Sequence, residues 1–168
     1  LARQIFERLA DKRVLLVGAR EMMDLALQAL AGEGLGAVQV ANRTPERAAQ
    51  LAMRFGASAH ALSELPALLA GAECLWMPAR WDEPFGLTLI EALVSGTPVL
   101  GTRRGALPEV VSEAAGLLGD TLEELISLRE RIGQIDPDAC RARVMSHFTH
   151  TTMAEGYLRL YRRVIDTG

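Results

Sequence analysis

The sequence predicts an α/β fold, a doubly wound parallel sheet covered by helices. Two observations predict it. Short apolar runs alternate with helical patterns from Arg13 to about Leu118, the order that βαβ units produce. The first run, Arg13-Val-Leu-Leu-Val17, is apolar after its first residue, as expected of a strand covered on both faces.

The elements follow in order. After the first strand, a helix is expected over Glu21–Ala31, broken by Gly32, Gly34 and Gly36. Ala37–Ala41 reads as the second strand. Pro45–Arg54 reads as the second helix, with Thr44 as N-cap and Pro45 at its first position. Ser58–Ala61 is a short third strand, and Ser63 is expected to cap a helix through Ala70 with Pro66 in its first turn. Glu73–Pro78 is the fourth strand and Leu87–Ser95 the fourth helix. Pro98–Gly101 is the fifth strand, a helix follows near Leu107–Ser112, and Ala115–Leu118 is the sixth strand. The remainder reads as helix: Leu122–Ile132, Pro137–His147 and Thr152–Ile165. Right-handed crossovers favour one Rossmann-like sheet of about six strands in order 3-2-1-4-5-6, with additional C-terminal helices.

Composition bounds the function. The 168 residues fit one domain, 49% apolar and 23% charged, ordinary for a globular chain. A net charge of −3 gives no basic footprint for nucleic acid. No apolar run approaches the roughly 18 residues that a membrane span needs. With no targeting signal read, a soluble, cytoplasmic setting is expected. Cys74 and Cys140 lack metal-ligand spacing and are expected as free thiols, Cys74 in an apolar run and Cys140 in a helix. His60, His147 and His150 form no metal pattern. His147 and His150 are expected on one helix face, and all three as surface histidines.

Two loops carry candidate chemistry. Gly18-Ala19-Arg20-Glu21 sits where a dinucleotide fingerprint would, between a strand and a helix. Gly18 supplies the tight turn, but Arg20 occupies the place of the glycine that lets a pyrophosphate approach. Asn42-Arg43-Thr44 ends the second strand. There Arg43 offers a charged donor fork and Thr44 a hydroxyl to a phosphate, while an exposed helix-entry arginine is the bland alternative. Further on, Glu83-Pro-Phe85-Gly86-Leu87 delivers a helix N-terminus after a strand end, where backbone N–H groups can cradle a diphosphate. Here the bland alternative is a loop cap at Glu83, a helix carboxylate at Glu91 and a core Phe85.

The first 73 or so residues resemble glutamyl-tRNA reductase. Arg3-Gln-Ile-Phe6, Val14–Ala19, Glu21-Met22, Ala41-Asn-Arg-Thr44, Glu46-Arg-Ala48 and Leu62–Leu69 carry the resemblance. A shikimate dehydrogenase-like domain is the close neighbour. The resemblance implies that Asn42, Arg43 and Thr44, with Gly18 and Arg20 at the first loop, would hold NADP. The family's thioester-forming cysteine belongs to a domain not seen in this sequence.

Residues 74 to 168 resemble the C-terminal, donor-binding domain of two-domain retaining (GT-B type) glycosyltransferases. Arg80-Trp-Asp-Glu-Pro-Phe-Gly-Leu87, Glu91-Ala92, Ser95-Gly-Thr-Pro-Val99, Gly105-Ala-Leu-Pro-Glu109 and Tyr157–Val164 carry this resemblance, with the family's Glu, seven residues, Glu met by Glu83 and Glu91. It implies a nucleotide-sugar site in which Glu83 holds sugar hydroxyls and Glu91 the ribose, with Phe85, Gly86 and Leu87 beside them. The diphosphate-holding Arg and Lys of that family fall in the exchanged half.

Two families in one chain lead to the expectation of an engineered chimera: a reductase-like segment 1–73 and a glycosyltransferase-like segment 74–168 in a single domain. No catalytic residues and no metal are expected. Nucleotide, phosphate or sulfate binding is expected at most, at the crevice between the first and fourth strands, where Arg20 would face Gly86. The alternatives are a nucleotide-sugar-binding transferase fragment and an NADP-binding reductase module. The C-terminal helices carry Leu158, Leu160, Tyr161 and Ile165; in the resembled transferases these helices contact the other domain, so a monomer or weak homodimer is expected.

Overall fold

A computed structural model describes residues 9–17, 21–30 and 34–167. The chain divides into two compact units, Leu1–Leu68 and Leu69–Gly168.

The first unit holds β1 (Arg13–Val17), α1 (Glu21–Leu30), β2 (Ala37–Asn42), α2 (Pro45–Phe55) and β3 (Ser58–Ala61). Its sheet is parallel in order β1-β2-β3. β2 is central, so it carries the buried Val40, Ala41 and Asn42, whereas β1 is only half-buried. Period-two alternation sends Val38 and Val40 to one face, with Leu27 of α1 and Ala48 and Leu51 of α2. Arg54 pairs with Asp24 at 3.5 Å across the two helices. Gly56, at φ 65°, ends α2 in the left-handed conformation and donates its N–H to Ala52 O.

Gln39 points to the opposite face from Val38 and Val40. Its Nε2 lies 3.3 Å from His60 Nε2, and His60 Nδ1 lies 3.1 Å from Glu64 Oε2. An Nδ1–H tautomer satisfies both contacts. His60 is therefore half-buried and bonded, which corrects the expectation of a surface histidine. The expected cap at Ser63 is also corrected. Leu62–Glu64 forms a 3₁₀ turn, and Glu64 Oε1 reaches back 2.8 Å to accept from Ala61 N. A longer acidic side chain does what the serine was expected to do. The α-helix α3 then covers Leu65–Ala70.

The second unit holds β4 (Leu75–Met77), α4 (Leu87–Val94), β5 (Val99–Thr102), α5 (Leu107–Val110), β6 (Gly116–Gly119), α6 (Leu122–Ile132), α7 (Pro137–His147) and α8 (His150–Thr167). Its sheet is parallel in order β4-β5-β6. Leu75, Met77, Val99 and Leu118 face one core, made with Leu89 and Leu93 of α4, Leu107 and Val110 of α5, and Cys140 and Val144 of α7. Cys74, Trp76, Leu100 and Leu117 face the other, made with Leu125 and Ile132 of α6. Helices thus cover both faces, the doubly wound arrangement. Within each unit the strands follow one half of the expected order.

Caps fix the later helices. Thr121 Oγ1 accepts from Glu124 N at 3.2 Å, and Asp136 Oδ1 accepts from Asp138 N at 2.9 Å. Thr149 Oγ1 accepts from Thr152 N at 3.1 Å and starts α8. That break places His147 at the end of α7 and His150 at the start of α8, so they do not share one helix, contrary to expectation. Cys74 is half-buried and Cys140 buried, and no disulfide joins them. Among the described residues no group of His, Cys, Asp or Glu could hold a metal, and no helix is long and apolar enough to cross a membrane.

The hydrogen bond from His60, then that from Ala61 N–H, hold the Glu64 carboxyl below its ordinary 4.5. The folded state therefore favours the carboxylate, and this stabilisation is complete above about 4.5 and fades as pH falls through the lower folded value. A carbon-detected NMR titration will show Glu64 titrating below 4.5, and His60→Ala will move it upward. Burial, aided by Asp136, pushes the Cys140 thiol up to about 11. Its neutral form belongs to the fold, so stability declines as pH rises from the unfolded value near 9.0 toward about 11. Mass-spectrometric alkylation at neutral pH will modify Cys140 only as fast as the chain unfolds.

Candidate functional site

The site of the second unit is built where its three parallel strands end, the position at which open α/β sheets place ligands. Side chains and backbone stitch the three following loops together. Thr102 Oγ1 donates to Ala79 O at 2.7 Å, tying the end of β5 to the loop after β4. Ala106 N donates to Glu83 O at 2.8 Å, and Arg103 N to Gly119 O at 3.0 Å. Arg103 also spans to the loop after β6, with Nη2 donating to Leu118 O at 2.8 Å and Nε 3.4 Å from Asp120 Oδ2.

Gly105 is the pivot. At φ 54°, a Cβ there would fall on the backbone N and O of Glu83. Only glycine lets the two loops touch, and that contact sets the height of Glu83. The Glu83 carboxylate is then oriented by its neighbour, Trp81 Nε1 donating to Oε2 at 3.1 Å. Gly86, at φ 78° and ψ 68°, precedes the first turn of α4. A Cβ on Gly86 would meet Leu89 Cδ1 at 2.7 Å and Glu83 Cγ at 3.4 Å, so Glu83 stands beside the helix start. The first N–H groups of a helix have no intrahelical acceptor, and Gly86 offers no side chain to cap them. Leu89 N–H already donates to Gly86 O at 2.9 Å, which leaves those of Leu87 and Thr88 for an anion.

α4 itself is held firmly. Leu89, Ala92 and Leu93 are buried, while Leu87, Glu91 and Val94 are exposed. Leu87 and Glu91 therefore share the exposed face, one turn apart. At the other end, Arg141 Nη2 donates to Ser95 O at 3.2 Å, and its Nη1 pairs with Asp138 at 2.6 Å. Phe85 is 42% exposed and meets Phe148 edge-on at 6.1 Å. It is not a core residue, because its loop lies outside the helices that close the core.

A polar cleft of about 330 Å³ lies against this loop, lined by Asp82, Thr102, Arg103, Arg104, Gly105 and Asp120. Sequence reasoning missed Arg103 and Arg104. The available signal was an Arg-Arg pair directly after a strand, at the ligand-bearing end of a parallel sheet.

In the first unit, Asn42 is buried at the end of β2, and its Oδ1 accepts from Thr44 N at 3.0 Å. This turn presents Arg43 and Thr44 to solvent at the head of α2. Thr44 holds the N-cap position as expected, yet its hydroxyl makes no capping bond. The Thr44 carbonyl accepts instead from Arg47 N and Ala48 N, at 3.1 and 3.2 Å. Thr44 lines a groove with Asp24, Glu46, Arg47, Gln50 and Arg54. Gly18 and Arg20 lie outside the described residues, and so does the expected approach of Arg20 to Gly86.

Comparison with known proteins finds two kinds of likeness. The Shikimate / quinate 5-dehydrogenase family matches residues 1–80. Glutamyl-tRNA reductase of Bacillus pumilus is 48% identical over 75 residues, 45% of this chain and 16% of the relative. Glutamyl-tRNA reductase of Photobacterium profundum is 37% identical over 139 residues, 78% of this chain and 33% of the relative. The chain thus spans a third or less of these relatives.

Among solved structures, AviGT4, a glycosyltransferase involved in avilamycin A biosynthesis, matches 96% of this chain and 54% of its own. Its TM-score is 0.54 and its identity 24%. Sucrose-phosphate synthase from Thermosynechococcus elongatus matches 96% and 48% at TM-score 0.60 and 22% identity. Anabaena HepE, solved with UDP-glucose, matches 91% and 49% at TM-score 0.59 and 16% identity. The fold is therefore Rossmann-like α/β, of the kind seen in glycosyltransferases. The N-terminal part is glutamyl-tRNA reductase-like in sequence.

Gly105→Ala is expected to cost about 1–3 kcal/mol through its left-handed φ and the collision with Glu83. Gly133→Ala is the control, since a Cβ at Gly133 would meet nothing within 4 Å and its φ of −67° is an ordinary right-handed one. Calorimetry will show a Tm lowered by several degrees in the first variant and not in the second.

Proposed function

We propose that this chain is a chimeric Rossmann-like scaffold that binds a nucleoside diphosphate weakly and catalyses no reaction. One observation carries the reading. Two reductases are 48 and 52% identical over 75 and 69 residues and a third 37% over 139, whereas the fold likeness to glycosyltransferases spans nine-tenths or more of the chain. A joint between two sources, near Glu73, accounts for both. The proposal thus divides the chain into a reductase-like segment 1–73 and a transferase-like segment 74–168.

The open end of α4 supports the binding half of the proposal. Its first N–H groups take the diphosphate, Glu83 the sugar hydroxyls beside them and Glu91 the ribose. Arg103 is committed to Asp120 and Leu118, so Arg104 supplies the nearby positive charge. Transfer requires an acceptor held against the donor in a closed, dry site. The residues that line the cleft, Asp82, Thr102, Arg103, Arg104, Gly105 and Asp120, support binding, and the proposal is limited to that.

A second reading, an NADP-binding reductase module, is favoured by the 139-residue match to the Photobacterium relative. In it, Arg43 and the uncapped Thr44 hydroxyl receive the adenosine 2′-phosphate.

A thermal-shift titration with UDP, UDP-glucose and NADPH separates the readings. A ligand at 100 times its Kd stabilises a fold by about 2.7 kcal/mol. We expect UDP to raise the Tm, Glu91→Ala to abolish the rise, and UDP-glucose to be recovered intact. A rise with NADPH that Arg43→Ala removes would establish the second reading. Release of glucose from UDP-glucose would overturn the proposal of a scaffold without turnover.

A further inference from the structure

α8 is an 18-residue helix with no buried residue. Met153, Tyr157, Leu158, Leu160, Tyr161, Val164 and Ile165 are each 50 to 77% exposed. At 100° per residue these seven fall within an arc of about 160°, wider than the apolar stripe of an ordinary surface helix. Arg159, Arg162, Arg163, Glu155 and Asp166 occupy the other arc, with Glu155 and Arg159 paired along it at 4.0 Å. A partner on the apolar arc therefore strands no charge. Tyr157 and Tyr161 already stack on that arc, ring centroids 6.1 Å apart.

From this pattern we propose that α8 is a self-association surface through which two copies of the chain pair. Three features select a second copy as the occupant. First, Met153, Tyr157, Leu160 and Val164 recur at spacings of four, three and four, the seam that packs against another helix of the same pattern. Second, the area fits. Large apolar side chains exposed by half or more present on the order of 100 Å² each. Seven of them on two copies cover roughly 1,400 Å², inside the range of about 1,200–2,000 Å² that stable interfaces bury. Left open, one copy's share exceeds the largest apolar patch of a typical monomer. Third, the polar arc mixes acids with arginines. A helix that lies on anionic lipid carries a basic polar face instead. A two-fold pairing makes the same patch serve both copies.

Sedimentation equilibrium over a range of micromolar concentrations tests the proposal. The expected mass is twice the 18.2 kDa of one chain. Leu160→Glu places a charge in the seam and is expected to raise the dimer Kd by roughly 100-fold or more. Its circular dichroism and Tm at monomeric concentration stay unchanged, because Leu160 belongs to neither core of the second unit. Tyr157→Glu is the second variant should Leu160→Glu fail to fold. Arg162→Glu, on the polar arc, leaves the dimer intact. A wild-type chain that is monomeric at the highest concentration overturns the proposal. So does a dimer that survives both seam substitutions, or a monomer that co-floats with phosphatidylserine vesicles.

Discussion

The second unit depends on β5 being buried on both faces. Val99 and Gly101 turn toward α4, α5 and α7, and Leu100 turns toward α6. A parallel sheet so covered must be apolar on successive residues, not on alternate ones. Gly101 shows how tight the packing is: a Cβ there would meet Met77 O and Leu107 Cδ2, both at 2.8 Å. The helices are thereby brought close to the sheet. The ends of the three strands then lie level, and the loops that follow them have no choice but to meet.

That meeting creates the site. The loop after β4 is braced from below by Thr102 and from the side by Gly105. Each brace uses a residue of the neighbouring strand or its loop, so the position of Glu83 is inherited from β5. Phe85 is held more loosely. It rests against Phe148, whose ring also receives the Arg143 guanidinium at 5.3 Å. Arg143 in turn donates to Val110 O at 3.1 Å and to Glu109 O. A chain of contacts thus links the end of α5, the end of α7 and the candidate loop.

The two units answer different demands at their helix starts. α2 begins with an Asx turn in which Asn42 bonds to Thr44 N, which leaves the Thr44 hydroxyl uncommitted. α4 begins at a glycine that has nothing to commit. Side-chain caps start α6, α7 and α8, at Thr121, Asp136 and Thr149, whereas α5 starts at Ala106 without one. The starts of α2 and α4, which carry no side-chain cap, fall where the sequence resembles ligand-binding motifs.

The sequence by itself determined the element order, the parallel strands and the two resemblances, because apolar periodicity and cap residues are local signals. The helix starts expected at Pro45, Leu122 and Pro137 are those observed. The Glu83 and Glu91 pair was legible as a motif. Only the tertiary structure decided which of these residues meet. The bracing of Glu83 by Gly105 joins positions 22 residues apart, and Arg103 reaches Asp120 across a strand. Neither contact leaves a periodic trace. His60 reads as a surface residue in the sequence because its partners, Gln39 and Glu64, come from a neighbouring strand and a following turn. The break between α7 and α8 is legible in the helix bounds, but the cap that makes it is not. Thr149 acts as a cap only once the chain has turned there, and a hydroxyl in a helical pattern does not announce which way it will bond.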